Sequence, residues 1–332
     1  MSSTITQQHQ HFEYEDQFLN PDLDAMEALE KDASKGYRPL VISWKSVARF
    51  TGMHLAALVG AYQFFLTARW ETCAWAVLLH FLGILGITGG AHRLWSHRSF
   101  KATFGARAMF MVMTTLAFQN DVIEWARDHR CHHKWTDTEA DPHNSRRGFF
   151  YSHMGWLMTK KGEKLKEMGS KVDISDLLED EVLMFQRRHY TLLVVLICFL
   201  IPAVVPVYFW GEKAVVAFYV ASVFRYIFTL NSTFLINSAA HVFGYQPYDA
   251  NITAKESVWT NMQAVGEGGH NFHHSFPQDY RASEFSYLTN WTRAMLDGMA
   301  AIGMVYDRKM ISDAAIRRQM ATKGDSNHHH HH

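Results

Sequence analysis

Four long apolar stretches are the strongest pattern in the sequence. They cover residues 47–66, 72–91, 190–210 and 214–236. A helix needs about 20 residues to cross a hydrocarbon layer of ~30 Å, so each stretch is long enough to span a membrane. Only a few polar residues separate the two members of each pair. The pattern therefore predicts an all-α integral membrane protein with four transmembrane helices in two hairpins.

The mean hydropathy of the whole chain favours a different interpretation, in which these stretches are core helices of a soluble protein. Its value is only −0.16. The average is low because long polar segments surround the apolar stretches, and hydropathy over a spanning length is the better indicator. A further apolar run at 110–118 is too short to span, and it predicts a buried or interfacial helix.

Basic residues are distributed unevenly around the predicted spans. The two hairpin linkers contain only Arg69 and Lys213, whereas the segment 92–189 and the tail are rich in lysine and arginine. Loops with an excess of basic residues stay in the cytosol, so both termini and both large polar segments are expected there. The predicted order is a cytosolic N-terminal segment (1–46), hairpin 1 (47–91), a cytosolic cap (92–189), hairpin 2 (190–236), the second part of the cap (237–323) and a tail (324–332).

Composition excludes several classes of protein. The 332 residues carry 32 basic and 32 acidic side chains, a balance that argues against a nucleic-acid-binding protein. Three cysteines, an odd number, argue against a secreted disulfide scaffold. The 21 histidines are the unusual count. Five of them form the terminal run 328–332, which is typical of an expression tag.

Nine further histidines form clusters near the ends of the predicted spans. Residues three and four apart share a helix face, so each HxxHH motif is expected to direct three imidazoles to one place. In the four-span topology all clusters lie on the cytosolic side, where they can meet. The nine are His92, His97, His129, His132, His133, His241, His270, His273 and His274. The others are interpreted as ordinary surface or core residues: His9, His11, His54, His80, His143, His153 and His189.

Nine neutral imidazoles exceed the needs of one metal ion and match two ions with four or five ligands each. Imidazole suits iron, copper, nickel and zinc, whereas magnesium and calcium need oxygen ligands. Asn237, four residues before His241, can hold a metal-bound water through its amide. Two redox metals at a membrane surface indicate oxygen chemistry on a lipid. Candidate acceptors for the second ring nitrogens are Glu124, Asp128, Asp137, Asp141 and Glu267.

At these motifs the sequence resembles a known family. HRLWSH, HRCHH and HNFHH, at these separations, closely resemble the three histidine boxes of the acyl-CoA Δ9-desaturases of the stearoyl-CoA type. The likeness also includes FQNDVIEWARD, SHMGWL and NSAAHVFGYQPYD, and it covers roughly residues 40–310. The segment EGGHNFHH, with Gly269 and Phe272, is most similar to invertebrate members.

The resemblance implies a fold and an activity. It implies an enzyme of the endoplasmic reticulum membrane with four spans, cytosolic termini and a cytosolic di-iron cap. Such an enzyme takes electrons from cytochrome b5, which an NADH-dependent reductase reduces. It uses O2 to place a cis double bond between C9 and C10 of a saturated acyl-CoA, palmitoyl-CoA or stearoyl-CoA. An unactivated methylene has no acidic proton, so this reaction needs an oxidising metal rather than acid–base catalysis.

The resemblance also assigns roles to residues. The nine clustered histidines would bind two iron ions, with zinc a substitute in overexpressed protein, and Asn237 would bind one ion through water. The CoA headgroup would contact Asn120, Arg127, Asp128, Lys160 and Lys161. The acyl tunnel would bend near Gln119, Trp125 and Thr233. Two positions depart from the family pattern, because Phe234 replaces a tryptophan and Ser46 an asparagine.

Chain-length selectivity depends, in this family, on the residue eight positions before the first ligand histidine. That residue is Ile84 here, with His80 one turn further away. A larger side chain there would shorten the tunnel, which predicts a preference for palmitoyl-CoA.

Two alternatives remain at the level of sequence. A histidine-rich membrane hydroxylase would share the metal centre but insert oxygen. A membrane metal transporter or receptor would need polar ligands at mid-membrane depth, and the spans offer few besides Arg225, His54 and His80.

Overall fold

The computed structural model describes residues 10–11, 21–34 and 36–325. The histidine run 328–332 and His9 lie outside this part of the chain, as do most of the N-terminal segment and of the tail. The described fold is mostly helical. Its only strands are two-residue segments, β1 (Gln10–His11) and β4 (Lys309–Met310) in parallel, and β2 (Lys101–Ala102) and β3 (Val305–Tyr306) in antiparallel.

Three long helices dominate the described residues, and each is long and apolar enough to cross a membrane. They are α3 (Trp70–Ser96, 27 residues), α9 (Glu181–Trp210, 30 residues) and α10 (Ala214–Val242, 29 residues). All three are longer than the apolar stretches that predicted them. At ~1.5 Å per residue each exceeds the ~30 Å of a hydrocarbon layer, so their ends reach beyond it.

The first predicted span is also helical, as α2 (Trp44–Leu66, 23 residues), but it is not among the three helices that meet both criteria. Its length is sufficient. Lys45, Arg49, His54 and Gln63 make it more polar than the other three. The structure therefore supports three of the four predicted spans, namely α3, α9 and α10.

The other helices are shorter and surround the histidine motifs. Ser145–Arg147 and Gly155–Met158 are 3-10 turns. The helices are α1 (Leu23–Ala33), α4 (Phe104–Ala117), α5 (Val122–Lys134), α6 (Phe149–His153), α7 (Glu163–Gly169), α8 (Ser175–Glu179), α11 (Val258–Gln263), α12 (His270–Ser275), α13 (Trp291–Ala301) and α14 (Asp313–Lys323). The predicted short apolar helix at 110–118 is the second half of α4, and Phe110 is fully buried there.

Close helix contacts fix the long helices relative to each other. A side chain at Gly60 of α2 would lie 2.2 Å from the Tyr219 carbonyl oxygen, so only glycine allows α2 to approach α10 this closely. Arg225 is buried in α10 and donates to the carbonyl oxygens of Leu116 in α4 (2.8 Å) and Cys198 in α9 (2.7 Å). The guanidinium thus joins three elements without a carboxylate partner in these bonds.

Polar contacts also join the two hairpin linkers. Glu212 accepts hydrogen bonds from the Arg69 backbone N–H at 2.9 Å and from the Thr72 hydroxyl at 2.8 Å. The Trp210 indole donates to the same hydroxyl at 2.8 Å. The start of α3 and the end of α9 are therefore held together, which aligns the two hairpins at the end remote from the histidine motifs.

Candidate metal centre

All nine clustered histidines meet in the structure, and they form two groups rather than one. They come from the end of α3, from α5, from the end of α10 and from α12. The five-histidine group contains His92, His97, His129, His133 and His273. The four-histidine group contains His132, His241, His270 and His274.

The expectation that each HxxHH motif directs three imidazoles to one place is wrong. In α5, His129 and His133 join the five-histidine group and His132 joins the other. In α12, His270 and His274 join the four-histidine group and His273 joins the other. Helical positions i and i+4 differ by about 40° around the axis, whereas i+3 and i+4 differ by about 100°. Each motif therefore serves both groups.

The Nε2 atoms converge within each group. In the first, His92 lies 2.9 Å from His273, His97 lies 2.8 Å from His129, and His273 lies 3.0 Å from His133. In the second, the separations are 3.2 Å for His132–His274, 3.0 Å for His241–His270 and 3.2 Å for His270–His274. All candidate ligand atoms of a group lie within 4.8 Å of one another.

Hydrogen bonds at Nδ1 determine the tautomer of several of these histidines, and so leave Nε2 free to face into the group. His92 Nδ1 donates to Glu267 at 2.9 Å, and His132 Nδ1 donates to Asp141 at 2.9 Å. His241 Nδ1 lies 2.8 Å from the Thr253 hydroxyl, which itself donates to Asp137. With the proton held on Nδ1, the lone pair of Nε2 points into the group. Of the five predicted carboxylate acceptors, Glu267 and Asp141 contact ligand histidines directly and Asp137 acts through Thr253.

This arrangement fits a metal ion in each group. Two inward lone pairs at ~3 Å repel each other unless a cation lies between them. Metal–nitrogen distances of about 2.0–2.1 Å place neighbouring ligands roughly 3.0–3.4 Å apart, which agrees with the observed spacing. Five and four imidazole nitrogens suit iron, copper, nickel or zinc. Two buried atoms, His97 Nδ1 and His273 Nδ1, have no hydrogen-bond partner in the described part of the chain.

Burial favours the neutral form of most of these imidazoles by lowering their pKa. It lowers the pKa of His97, His129 and His133 well below 6.5, and their neighbouring imidazoles lower it further. The same causes act on His270, His273 and His274. Burial also lowers the pKa of His132 to about 4. Neutral imidazole is the form that binds metal ions, so these histidines can bind metal ions at neutral pH without first losing a proton.

His143 was interpreted from the sequence as an ordinary residue, and the structure places it beside the centre. It is buried, and its ring centroid lies 4.3 Å from that of His132. Its Nδ1 is 3.5 Å from Asp141, which His132 also contacts. Burial lowers the pKa of His143 to about 3 and raises that of Asp141 to about 6. Its position two residues after Asp141 was the only sequence signal.

One cavity joins the five-histidine group to the apolar interior between the long helices. His92, His129, Asn237 and Glu267 line it beside the five-histidine group. Further from the histidines, side chains of α2, α9 and α10 line the cavity: Phe50, Met53, Phe199, Tyr226 and Leu230. The predicted tunnel residues Gln119, Trp125, Thr233 and Phe234 also border this cavity.

Side-chain contacts define the wall near the predicted bend. Gln119 Nε2 donates to the Thr233 hydroxyl at 3.0 Å, which connects the end of α4 to α10. The Trp125 indole stacks on the His129 ring with centroids 5.0 Å apart. His80 and Ile84 do not border the cavity. His80 lies 3.0 Å from the Thr229 hydroxyl, and Ile84 is fully buried one turn before the cavity residues Ile87 and Thr88.

The predicted headgroup residues lie around one acidic pair. Lys161 contacts Asp128 at 2.6 Å and Glu124 at 2.9 Å, and Arg127 contacts Asp128 at 3.1 Å. Asp128 also borders the cavity, as does Asn120. Lys160 is exposed and lies next to this cluster in the chain. The structure thus places basic side chains at the cavity margin, where carboxylates already hold two of them.

Comparison with known families agrees with this site. The sequence model of the fatty acid desaturase family matches residues 68–309. That interval contains every histidine of the two groups. The chain belongs to the fatty acid desaturase family.

This desaturase has close relatives of known name. It is 55% identical over 310 residues to the delta(9)-fatty-acid desaturase fat-6 of Caenorhabditis elegans, which covers 93% of this chain and 91% of the relative. It is 48% identical over 312 residues to human stearoyl-CoA desaturase (93% and 87%), and 48% over 299 residues to the acyl-CoA delta-9 desaturase of Acheta domesticus (90% and 83%).

These identities make the desaturase a member of the Δ9 acyl-CoA desaturase family, an oxidoreductase. The resemblance inferred from the histidine motifs, including the similarity to invertebrate members, is confirmed.

Metal content provides a test of the two groups. Substituting His129→Ala or His132→Ala should each lower the content of the purified desaturase by about one ion per chain, because each removes a ligand from a different group. The measurement is elemental analysis by mass spectrometry. His189→Ala, at an exposed residue outside both groups, should retain the full content. Equal losses of both ions from each variant would contradict two separable groups.

Acid should destabilise the metal-free protein. Seven of the histidines have a lower pKa folded than the 6.5 expected unfolded, so the unfolded state takes up protons first as the pH falls. Stability is therefore expected to decrease from about pH 6.5 toward pH 4. The raised pKa values of Asp141 and Glu256 act in the opposite direction, but these are two groups against the seven histidines and His143, whose pKa is lowered as well. Thermal unfolding of chelator-treated protein measures this, and a melting temperature constant over that range would contradict it.

Proposed function

We propose that this desaturase introduces a cis double bond between C9 and C10 of palmitoyl-CoA or stearoyl-CoA, with O2 as oxidant. Electrons would come from cytochrome b5 and its NADH-dependent reductase, in the endoplasmic reticulum membrane. The observation that carries the proposal is the cavity that passes directly from the five-histidine group into an apolar space between long helices. An acyl chain needs such a space, whereas the reaction needs the metals beside its midpoint.

Four spans with a cytosolic cap remain the proposed topology. The helix α2 has 23 residues, which is about 35 Å, and it exposes Leu55, Leu58, Tyr62 and Phe65. Exposed apolar residues on one long helix are expected where lipid covers them. With α2 as the first span, both hairpins return to the side of the histidine groups, where the basic segments place the cytosol.

Two iron ions are the proposed cofactors, held by the five-histidine and four-histidine groups, with Asn237 holding a water that binds one of the ions. Bound iron would supply the oxidising power that removes hydrogen from an unactivated methylene. The residues of the chain itself would form and shape the cavity that holds the acyl chain. The walls formed by Phe50, Met53 and Leu230 exclude water from the cavity, and the Gln119–Thr233 hydrogen bond fixes its shape beside Trp125.

The CoA headgroup is proposed to bind at the cavity margin, near Asn120, Arg127, Asp128, Lys160 and Lys161. Arginine and lysine suit phosphate oxygens. Because Asp128 and Glu124 already contact Lys161, this lysine is held in place before any phosphate binds. Phe234 cannot donate the hydrogen bond that a tryptophan would offer, so headgroup contacts at that position differ from the family pattern.

The proposed reaction has a direct test. Palmitoyl-CoA or stearoyl-CoA is incubated with the desaturase, cytochrome b5, its reductase and NADH, with and without O2, and products are identified by mass spectrometry. A Δ9 alkene is expected only with O2, and His132→Ala should abolish it while His189→Ala should not. A hydroxylated product would identify a hydroxylase instead. Alkene formation without O2, or metal transport without O2 consumption, would overturn the proposal.

Ile84 is proposed to limit the length of the acyl chain. It is fully buried and continues the face of α3 on which Ile87 and Thr88 border the cavity. Ile84→Ala should therefore raise the stearoyl-to-palmitoyl ratio of kcat/KM by about tenfold, because one methylene in an apolar pocket contributes at least ~1 kcal/mol. Leu78→Ala, at an exposed residue of the same helix, is the matched control. An unchanged ratio in Ile84→Ala would contradict this role.

A further inference from the structure

An uncharged, exposed surface follows the third histidine motif. The helix α13 exposes Trp291, Ala294, Gly298 and Ala301, which lie within about 100° of one another around the helix axis together with Ile302. Immediately before the helix, Leu288 is 86% exposed, and Ile302 after it is 72% exposed. A cytosolic surface rarely exposes so many neighbouring apolar residues without a partner.

This surface is continuous with a membrane-spanning helix. The Trp291 ring stacks on Phe81 of α3, with centroids 5.0 Å apart and planes inclined by 25°. Phe81 lies 15 residues before the end of α3, or about 22 Å along its axis. Val77 and Leu78, one turn earlier, are exposed on the same helix. Trp291 therefore lies beside a part of α3 that lipid is expected to surround.

Several polar groups in this segment are paired internally. The Trp291 indole donates to the Leu288 carbonyl oxygen at 2.8 Å. The Tyr287 hydroxyl donates to Asp297 at 2.7 Å, and Arg293 lies over the Tyr287 ring at 4.1 Å. Backbone and side-chain donors that face hydrocarbon must be paired within the protein. The Trp291 and Tyr287 donors meet that requirement, whereas Nε of Arg293, on the opposite side of the helix, has no hydrogen-bond partner among the described residues.

A neighbouring helix enlarges the same surface. The helix α11 exposes Val258, Trp259 and Met262, and its Asn261 side chain donates to the Thr289 carbonyl oxygen at 3.3 Å. Tryptophan residues are enriched where proteins meet the boundary between headgroups and acyl chains. Two exposed tryptophans, Trp259 and Trp291, thus lie on adjacent elements.

From these observations we propose that the segment 287–302 is embedded in the bilayer beside α3, with Leu288 and Trp291 among the acyl chains of the lipids. The occupant of this surface is lipid and not a protein partner, because the surface continues the lipid-facing side of a spanning helix. Its opposite side carries Arg293 and Asp297, which pair at 3.8 Å. The segment is therefore amphipathic in the way that membrane-bound helices are.

The embedded segment is also connected to the metal centre. The Thr292 hydroxyl lies 2.7 Å from that of Thr88 in α3, and the Thr292 backbone N–H donates to the Val265 carbonyl oxygen at 3.1 Å. Asn290 accepts a hydrogen bond from Arg93 at 3.4 Å, and Arg93 contacts Glu267. Glu267 accepts from the metal-ligand candidate His92. Lipid contact therefore supports the wall of the five-histidine group.

Spin labelling tests this proposal independently of catalysis. Cys131 and Cys198 are fully buried, so only Cys73 needs replacement by alanine before Leu288→Cys is labelled. The labelled protein is placed in phosphatidylcholine nanodiscs, and the collision rates of the nitroxide with O2 and with a water-soluble nickel chelate are compared. Val204→Cys, exposed on α9, gives the reference for lipid, and Lys166→Cys, exposed on α7, gives the reference for water.

The label at position 288 should favour O2 over the chelate to the same extent as the label at 204. Ile302→Cys provides a second site, and metal content verifies that each variant is folded. Chelate accessibility at both 288 and 302 equal to that at 166 would overturn the proposal. Such a result would leave the desaturase activity itself unaffected, and the absence of activity would leave this labelling result unaffected.

Discussion

The convergence of imidazole lone pairs is the constraint on which the rest of this structure depends. Two inward nitrogens at 2.8–3.2 Å are mutually repulsive, and those of His92, His132 and His241 are directed inward by a hydrogen bond at the other side of the ring. Four elements distant in sequence must therefore be held rigidly around two cations. Glu267, Asp141 and Thr253 provide that rigidity, and they are themselves buried or paired. We therefore expect metal binding and folding to be linked in this protein.

The long helices meet this constraint by extending beyond the lipid. The last turns of α3 and α10 carry His92 and His241, so the centre is attached to the spans without a flexible connection. The same helices border the cavity, which fixes the distance between the cavity and the histidines. Below the centre, the buried Arg225 joins α10 to α4 and α9, and the contact at Gly60 joins α10 to α2.

Much of this organisation could be predicted from sequence. Hydropathy identified three spanning helices, and spacing identified the nine histidines, because both follow from local periodicity. The division of the histidines between two groups could not be predicted, since His132 and His133 are adjacent in sequence but face different partners from distant elements. His143 was missed for the same reason, because only tertiary packing brings its ring to His132. The more polar α2 is the one predicted span that is not among the three helices apolar and long enough to cross a membrane.

The carboxylates around the two histidine groups differ in number, and they differ in whether a basic side chain neutralises their charge. Glu267, behind the five-histidine group, pairs with Arg93 at 2.7 Å, so the two formal charges cancel. Asp137 and Asp141, behind the four-histidine group, are held by hydroxyl and backbone N–H groups, and within residues 36–325 no arginine or lysine forms an ion pair with either. The surroundings of one group are thus neutral and those of the other carry two negative charges. Two identical cations would experience different electrostatic potentials a few ångströms apart.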